Sequence, residues 1–229
     1  MRAVIFDMDG CLVDSESMAL DTLAGLMAER GAGTSPADLR RDVLGLSIQT
    51  IAAMVARRSS QAGMPDFAAS FEERLLERYE QGLALVPGAA DLLAGLQARG
   101  TPMAIATGSS LRRMHAALRL TGLDRLFQGR AVSAEQVARG KPAPDIFLFA
   151  AERLGIAPEG CAVMEDSPHG IAGARAAGMR AVGFTGGSHL DGARDDHARL
   201  LREAGAVAVL DDLSGMADAL LPALAQRTE

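Results

Sequence analysis

Ala3-Val4-Ile5-Phe6-Asp7-Met8-Asp9-Gly10 decides the fold. Four apolar residues without polar alternation read as a strand buried on both faces, as in a parallel sheet. The strand runs straight into two carboxylates and a glycine. Five further apolar runs follow, at Met103–Thr107, Ala131–Val132, Ala162–Met164, Ala181–Phe184 and Val207–Leu210. Between them lie helical patterns, and four of these stop at a glycine: Ala89–Arg99, Leu111–Thr121, Pro144–Leu154 and Pro168–Ala177. Glycine after the last helical residue closes a helix in the left-handed conformation at low cost. Strands alternating with helices of this length predict an α/β fold built on a doubly wound parallel sheet.

One segment breaks the alternation. From Ser15 to Ala84 there is no strand pattern, only helical ones. Leu20, Leu23, Ala24 and Met27 form one apolar stripe, and Ile48, Ile51, Ala52 and Val55 another. Phe67, Phe71 and Leu75 stand at helical spacing, and Ser35-Pro36 reads as a helix start ahead of Leu39 and Val43. The pattern predicts a helical domain over residues 15–84 inserted into a core formed by 1–14 and 85–229. Its entry and exit must lie close together, with hinges at Asp14-Ser15 and Pro87-Gly88.

Composition bounds the chemistry. The 229 residues are 48% hydrophobic and 23% charged, which excludes a disordered chain. Only 3% are aromatic, so the core is filled by Ala, Leu, Val, Ile and Met. A net charge of -6 argues against nucleic-acid binding driven by overall charge. No apolar stretch approaches the ~20 residues a membrane span needs, and the N-terminal apolar run is too short for a signal peptide. Cys11 and Cys161, far apart and without a paired motif, suggest neither a disulfide framework nor a zinc site. These features lead us to expect a cytoplasmic monomer that handles small molecules.

Four clusters carry chemistry. Asp7 and Asp9, at i and i+2 on extended chain, point to one side about 6–7 Å apart, where they repel unless a cation binds or one is protonated. Thr107-Gly108-Ser109-Ser110 follows the second strand and can offer hydroxyl and N–H donors to a phosphate. Lys141, between Gly140 and Pro142, has a long arm on a fixed backbone. Glu165-Asp166 follows another strand and suits a hard cation such as Mg²⁺. Each has a plainer reading when taken alone: a solvated turn, a helix N-cap, a surface lysine, and an acidic cap for the Pro168 helix. A doubly wound sheet, however, brings its strand ends to one edge. Two acids, a hydroxyl, a lysine and two more acids then converge, and that set matches phosphoryl transfer. The histidines are read as bystanders: His115, His189 and His197 on the surface, and His169 as a polar residue in the first turn of its helix.

The chain resembles the haloacid dehalogenase-like superfamily, in the group with a helical cap after the first strand, near the β-phosphoglucomutase-like and sugar-phosphate phosphatase members. Asp7-Met8-Asp9-Gly10-Cys11-Leu12-Val13-Asp14-Ser15-Glu16 resembles the family's first motif, Thr107 its second, Lys141-Pro142-Ala143-Pro144-Asp145 its third, and Glu165-Asp166-Ser167 its fourth. The resemblance implies a Rossmann-like core and a Mg²⁺-dependent phosphatase acting on a small phosphorylated metabolite, a sugar or sugar-acid phosphate. It implies that Asp7 attacks phosphorus and that Asp9 is the acid/base, with a raised pKa. Thr107, Gly108 and Lys141 would bind the phosphoryl group. Mg²⁺ would be held by Asp7, the Asp9 carbonyl and Asp166, with Glu165 at the metal directly or through water. Where the family usually has Thr, this chain has Cys11. Where the mutases have a phosphate-gripping Arg in a Gly-x-Ser-Arg run, it has Gly45-Leu46-Ser47-Ile48, and their cap His falls on Ala19. Hydrolysis is therefore expected over the alternative, a sugar-phosphate mutase. Glu16, Gln49, Arg40 and Arg41 are the candidates for substrate selection.

Overall fold

The structure, a computed structural model, describes residues 2–33, 35, 38–39, 48–58 and 67–222. Strand β1 is Ala3–Phe6. Helices α1 (Glu16–Glu29), α2 (Ile48–Arg58) and α3 (Phe67–Gly82) follow it, then α4 (Ala89–Ala98). The alternation is then β2 (Met103–Thr107), α5 (Leu111–Leu120), β3 (Ala131–Ser133), α6 (Asp145–Leu154), β4 (Cys161–Glu165), α7 (Pro168–Ala176), β5 (Arg180–Phe184), α8 (Arg194–Glu203), β6 (Ala208–Leu210) and α9 (Met216–Leu220). All six strands pair in parallel, in the order β3-β2-β1-β4-β5-β6. The order reverses direction at β1, so the crevice of an open sheet falls where Asp7 and Asp9 leave that strand.

Strand alternation divides the core. Val4, Phe6, Met103, Ile105, Ala162 and Met164 face one layer, where Leu92, Leu93 and Leu96 of α4 and Met114 of α5 pack. Ala3, Ile5, Ala104, Val163 and Ala181 face the other, against Ile146 and Phe147 of α6, Ile171 of α7 and Leu201 of α8. Helices on both faces explain why the strands lack polar alternation. Phe6 meets Phe127 edge to face, with ring centroids 6.4 Å apart.

The inserted helices bury Leu23, Leu26, Phe67, Phe71, Leu75 and Tyr79 between them. Ser35 Oγ accepts from the Asp38 N–H at 3.2 Å, as a helix cap does, and Leu39 behind it is buried. Arg40, Arg41, Val43 and the Gly45-Leu46-Ser47 run lie outside the described residues, as does the side chain of Gln49. The insertion enters and leaves side by side: Asp14 N–H donates to the Ala84 carbonyl and Val86 N–H to the Leu12 carbonyl, both at 2.9 Å. Among the described residues no helix is long and apolar enough to cross a membrane.

Leu96 on α4 is wholly buried beneath the sheet. Leu96→Ala should cost about 2–5 kcal/mol through lost transfer energy and the cavity left behind, read as a lowered urea midpoint with an unchanged slope.

Candidate active site

Asp7 follows β1, and its N–H donates to the Met164 carbonyl of β4 at 2.9 Å, which fixes the carboxylate over the sheet edge. Lys141 comes from the loop before α6. Its Nζ donates to Asp7 Oδ1 and Glu165 Oε1, each at 2.5 Å. The other Glu165 oxygen accepts from the Ser167 N–H at 2.7 Å. A Cβ on Gly170 would run into the Glu165 carboxylate, so glycine there lets α7 close over it. Gly10 sits at φ 77° with Asp166 and His189 where a side chain would go, a conformation only glycine adopts freely.

Asp9 has different company. Its Oδ1 accepts from Ser15 Oγ at 2.6 Å, and its Oδ2 from Thr107 Oγ1 at 2.9 Å and Ser109 Oγ at 2.7 Å. The Arg113 guanidinium lies 3.6 Å from Oδ1 and donates to the Tyr79 hydroxyl at 3.3 Å. Ser110, not Ser109, caps α5, accepting from the Arg113 N–H at 3.1 Å. On the β5 side, His189 Nε2 lies 3.1 Å from Asp166 Oδ2, and His197 Nε2 is 2.5 Å from the Asp166 carbonyl.

These contacts set the charges. Burial pushes the Asp7 carboxyl well up; Lys141 opposes this, while Glu165, Asp166 and Asp9 add to it. Burial also raises Asp166, with Glu165 adding and Lys141 opposing. For Asp9 burial raises too, but Arg113 and the hydroxyls of Ser15, Ser109 and Thr107 win, so it is held below the usual range. The expected elevation of Asp9 is thus reversed here, because three hydroxyls and a guanidinium favour its charged form. Burial lowers Lys141, but Asp7 and Glu165 raise it by more, so it stays a cation. Glu16 is pushed up to about 7, first by burial and then by Asp9.

A cavity of about 640 Å³ opens on this edge. Asp7, Asp9, Gly108, Lys141, Glu165 and Asp166 line its sheet side, and Glu16, Ile51, Phe71 and Glu72 of the inserted helices face them. Thr107 is fully buried behind Asp9, which it reaches by its hydroxyl. Of the candidates for substrate selection, Glu16 is on the wall, Arg40 and Arg41 lie outside the described residues, and of Gln49 only its place in α2 is described. His115 is exposed, and exposed His169 lies at the cavity rim. His189 and His197, read as surface residues, are instead buried against Asp166. Sequence reasoning also passed over Ser15, Ser109 and Arg113 as partners of Asp9. The only local signal was small hydroxyl residues after a strand and in the first motif.

The carboxylates suit a hard divalent cation. Asp7, Cys11 and Asp166 each offer one ligand atom, all within 4.8 Å of one another. Asp7, Asp9, Glu165 and Asp166 are all buried at this edge, faced by the cations Lys141 and Arg113. With all four acids ionised, two negative charges are left over, which a divalent ion would neutralise.

An open parallel sheet with carboxylates, a lysine and a cavity at its carboxyl edge is the frame of a doubly wound α/β enzyme, and comparison with known proteins places it. Residues 1–178 match the model of the haloacid dehalogenase-like hydrolases, and the chain belongs to that family. It is 34% identical over 187 residues to hexitol phosphatase A of Escherichia coli (strain K12), covering 79% of this chain and 82% of that one. It is 30% identical over 211 residues to the phosphorylated carbohydrates phosphatase of Thermotoga maritima, covering 92% and 94%. The crystal structure of a family hydrolase from Deinococcus radiodurans R1 with bound phosphate and sodium superposes with a TM-score of 0.75 at 35% identity, covering 97% of this chain and 99% of that one.

Arg113→Met should expose what the guanidinium does for Asp9. Removing one partner of a buried charge pair costs about 3–5 kcal/mol. A carboxylate with a depressed folded pKa stabilises above its unfolded pKa of about 3.9 and loses that stabilisation as pH falls through the folded value. The gap between wild type and variant should therefore be full at neutral pH and narrow as the pH falls into the acid range, measured as urea midpoints from pH 7 downward. A gap that stays constant with pH would mean that Arg113 acts by packing on the Phe71 ring, whose centroid lies 5.8 Å from the guanidinium carbon.

Proposed function

We propose that the protein is a Mg²⁺-dependent phosphomonoester hydrolase acting on a small phosphorylated sugar, polyol or sugar acid through an aspartyl-phosphate intermediate. One observation carries the reading: the Asp7 carboxylate is buried against Lys141 beside a second acid, Asp9, on the wall of the cavity. Family membership and relatives named as phosphatases of hexitols and carbohydrates support it. Phosphate monoesters are among the most resistant bonds in water, with enzymatic accelerations up to ~10²¹. Catalysis therefore rests on fixed charge aimed at the transferring group.

In this reading Asp7 attacks phosphorus, and Asp9 protonates the leaving oxygen and later takes a proton from the attacking water. Lys141, the Thr107 hydroxyl and the backbone at Gly108 hold the phosphoryl oxygens. Those oxygens compete with Asp9 for the Thr107 and Ser109 hydroxyls. Substrate binding strips Asp9 of donors that keep it ionised, and so raises it toward the protonated form that the first step needs. Asp7, Asp166 and the Asp9 carbonyl would hold Mg²⁺, with Glu165 beside them; when bound, the ion supplies charge that keeps Asp7 ionised and neutralises phosphoryl oxygens. Residues 15–84 act as a cap over the core of 1–14 and 85–229. The cap presents Glu16 to the part of the substrate that leaves.

The test is phosphate release with Mg²⁺ from a panel of hexitol, sugar, sugar-acid and hexose 1-phosphates, phosphoglycolate and nucleotides. Turnover is expected on the polyol or sugar members and should be lost with chelator. Asp7→Asn should lower kcat by at least about 10³-fold, and Asp9→Asn by about 10²–10⁴-fold. Phosphate release unaffected by Asp7→Asn, or isomerised hexose phosphate formed without net release, would overturn the reading.

A further inference from the structure

Cys11 stands in the first motif where the family usually has threonine, and neither the fold nor the proposed reaction calls for its sulfur. Its side chain is fully buried, and no hydrogen bond of its thiol is found among the described residues. The sulfur is nonetheless aimed at the acidic group, within 4.8 Å of a carboxylate oxygen of both Asp7 and Asp166. The second cysteine is differently placed. Cys161 opens β4 in register with Ala3, at the opposite end of the strands from Asp7, and its Sγ lies 3.7 Å from the Ala157 carbonyl.

Softness decides what a sulfur does in such a set. Mg²⁺ takes oxygen donors and gains nothing from a thiol, whereas Zn²⁺ and its heavier congener Cd²⁺ take thiolate together with carboxylate. Asp166 is already oriented for ligation, because His189 Nε2 sits 3.1 Å from its Oδ2 and such partners fix a ligating carboxylate. We propose that Asp7, Cys11 and Asp166 form a mixed oxygen–sulfur site that captures thiophilic divalent cations at the place where the proposed reaction uses Mg²⁺. On capture the Cys11 S–H bond breaks and its proton leaves to solvent. A sulfur–metal bond forms, the metal sheds a water, and no electron is transferred. The captured ion would occupy the place of Mg²⁺, so trace Zn²⁺ or Cd²⁺ competes with Mg²⁺ there.

The inference rests on the proposed cation site, but its test reads a bond to sulfur rather than turnover. Metal-free protein is titrated with Cd²⁺ while the thiolate-to-cadmium charge-transfer absorption in the ultraviolet is followed. Wild type and Cys161→Ser should show the band at one equivalent, and excess Mg²⁺ should diminish it. Cys11→Thr, the residue usual in the family, and Cys11→Ser should show no band and bind Cd²⁺ at least about 10-fold more weakly; thermal melts confirm that both are folded. The proposal is overturned if wild type shows no band, if the band survives in Cys11→Thr and vanishes in Cys161→Ser, or if Mg²⁺ leaves it unchanged. A protein that gives the band but releases no phosphate from any ester would sink the hydrolase reading and leave the sulfur site standing.

Discussion

Everything at the functional edge follows from four carboxylates buried where two neighbouring strands, β1 and β4, end. Unpaired, each would carry a desolvation penalty of several kcal/mol. The fold supplies an answer to each. Lys141 sits between Asp7 and Glu165. Arg113 and three hydroxyls take Asp9. His189 and His197 meet Asp166. These partners come from the start of the insertion, β2 and the loop after it, α5, the loop before α6, the segment after β5 and α8, so four of the five crossovers of the sheet deliver groups to the same edge. The parallel topology is thus an electrostatic requirement as well as a packing solution.

The inserted helices are tied into the same network. Ser15, at the start of the insertion, donates to Asp9, and Tyr79 on α3 accepts from the Arg113 that faces Asp9. Ser110 donates to Glu72 of α3, and Arg119 pairs with Glu80. The Arg119–Glu80 pair is exposed and worth little, so it guides the docking of α3 on α5 without locking it. The buried contacts at Asp9 weigh more. Any shift of α3 or of Ser15 would change the donors on Asp9, which links the position of the helices to the charge state of one acid.

How much of this was legible follows from the same physics. The strands were readable because burial on both faces leaves unbroken apolar runs, and their ends fell within a residue or two of the sequence reading. Asp7, Asp9, Lys141, Glu165 and Asp166 were readable as a set because topology alone sends strand ends to one edge. Arg113 was not, because nothing local distinguishes it from Arg112. Only the Ser110 cap and the approach of α3 aim one inward and leave the other on the surface. His189 and His197 were misread for a related reason: polar residues in a loop and on an amphipathic helix look solvated until the distant buried Asp166 becomes their partner, through its carboxylate for His189 and its main-chain carbonyl for His197.

Taken without ligands, the two acids stand opposite to what displacement at phosphorus needs. Burial drives the would-be nucleophile Asp7 toward its neutral form, and Arg113 with the hydroxyls drives the would-be acid Asp9 toward its charged form. A cation beside Asp7 would favour its ionised form, whereas Asp9 is held ionised first by Arg113 and Ser15 and only then by Ser109 and Thr107. An enzyme arranged this way has no standing reactive pair for water or stray electrophiles to meet. In the proposed reaction a bound phosphoryl group would draw on the Thr107 and Ser109 hydroxyls that Asp9 uses here, so recognition and activation would share hydrogen bonds. Cys11 sits inside that arrangement without taking part in it, and its sulfur changes only which cations the carboxylates admit.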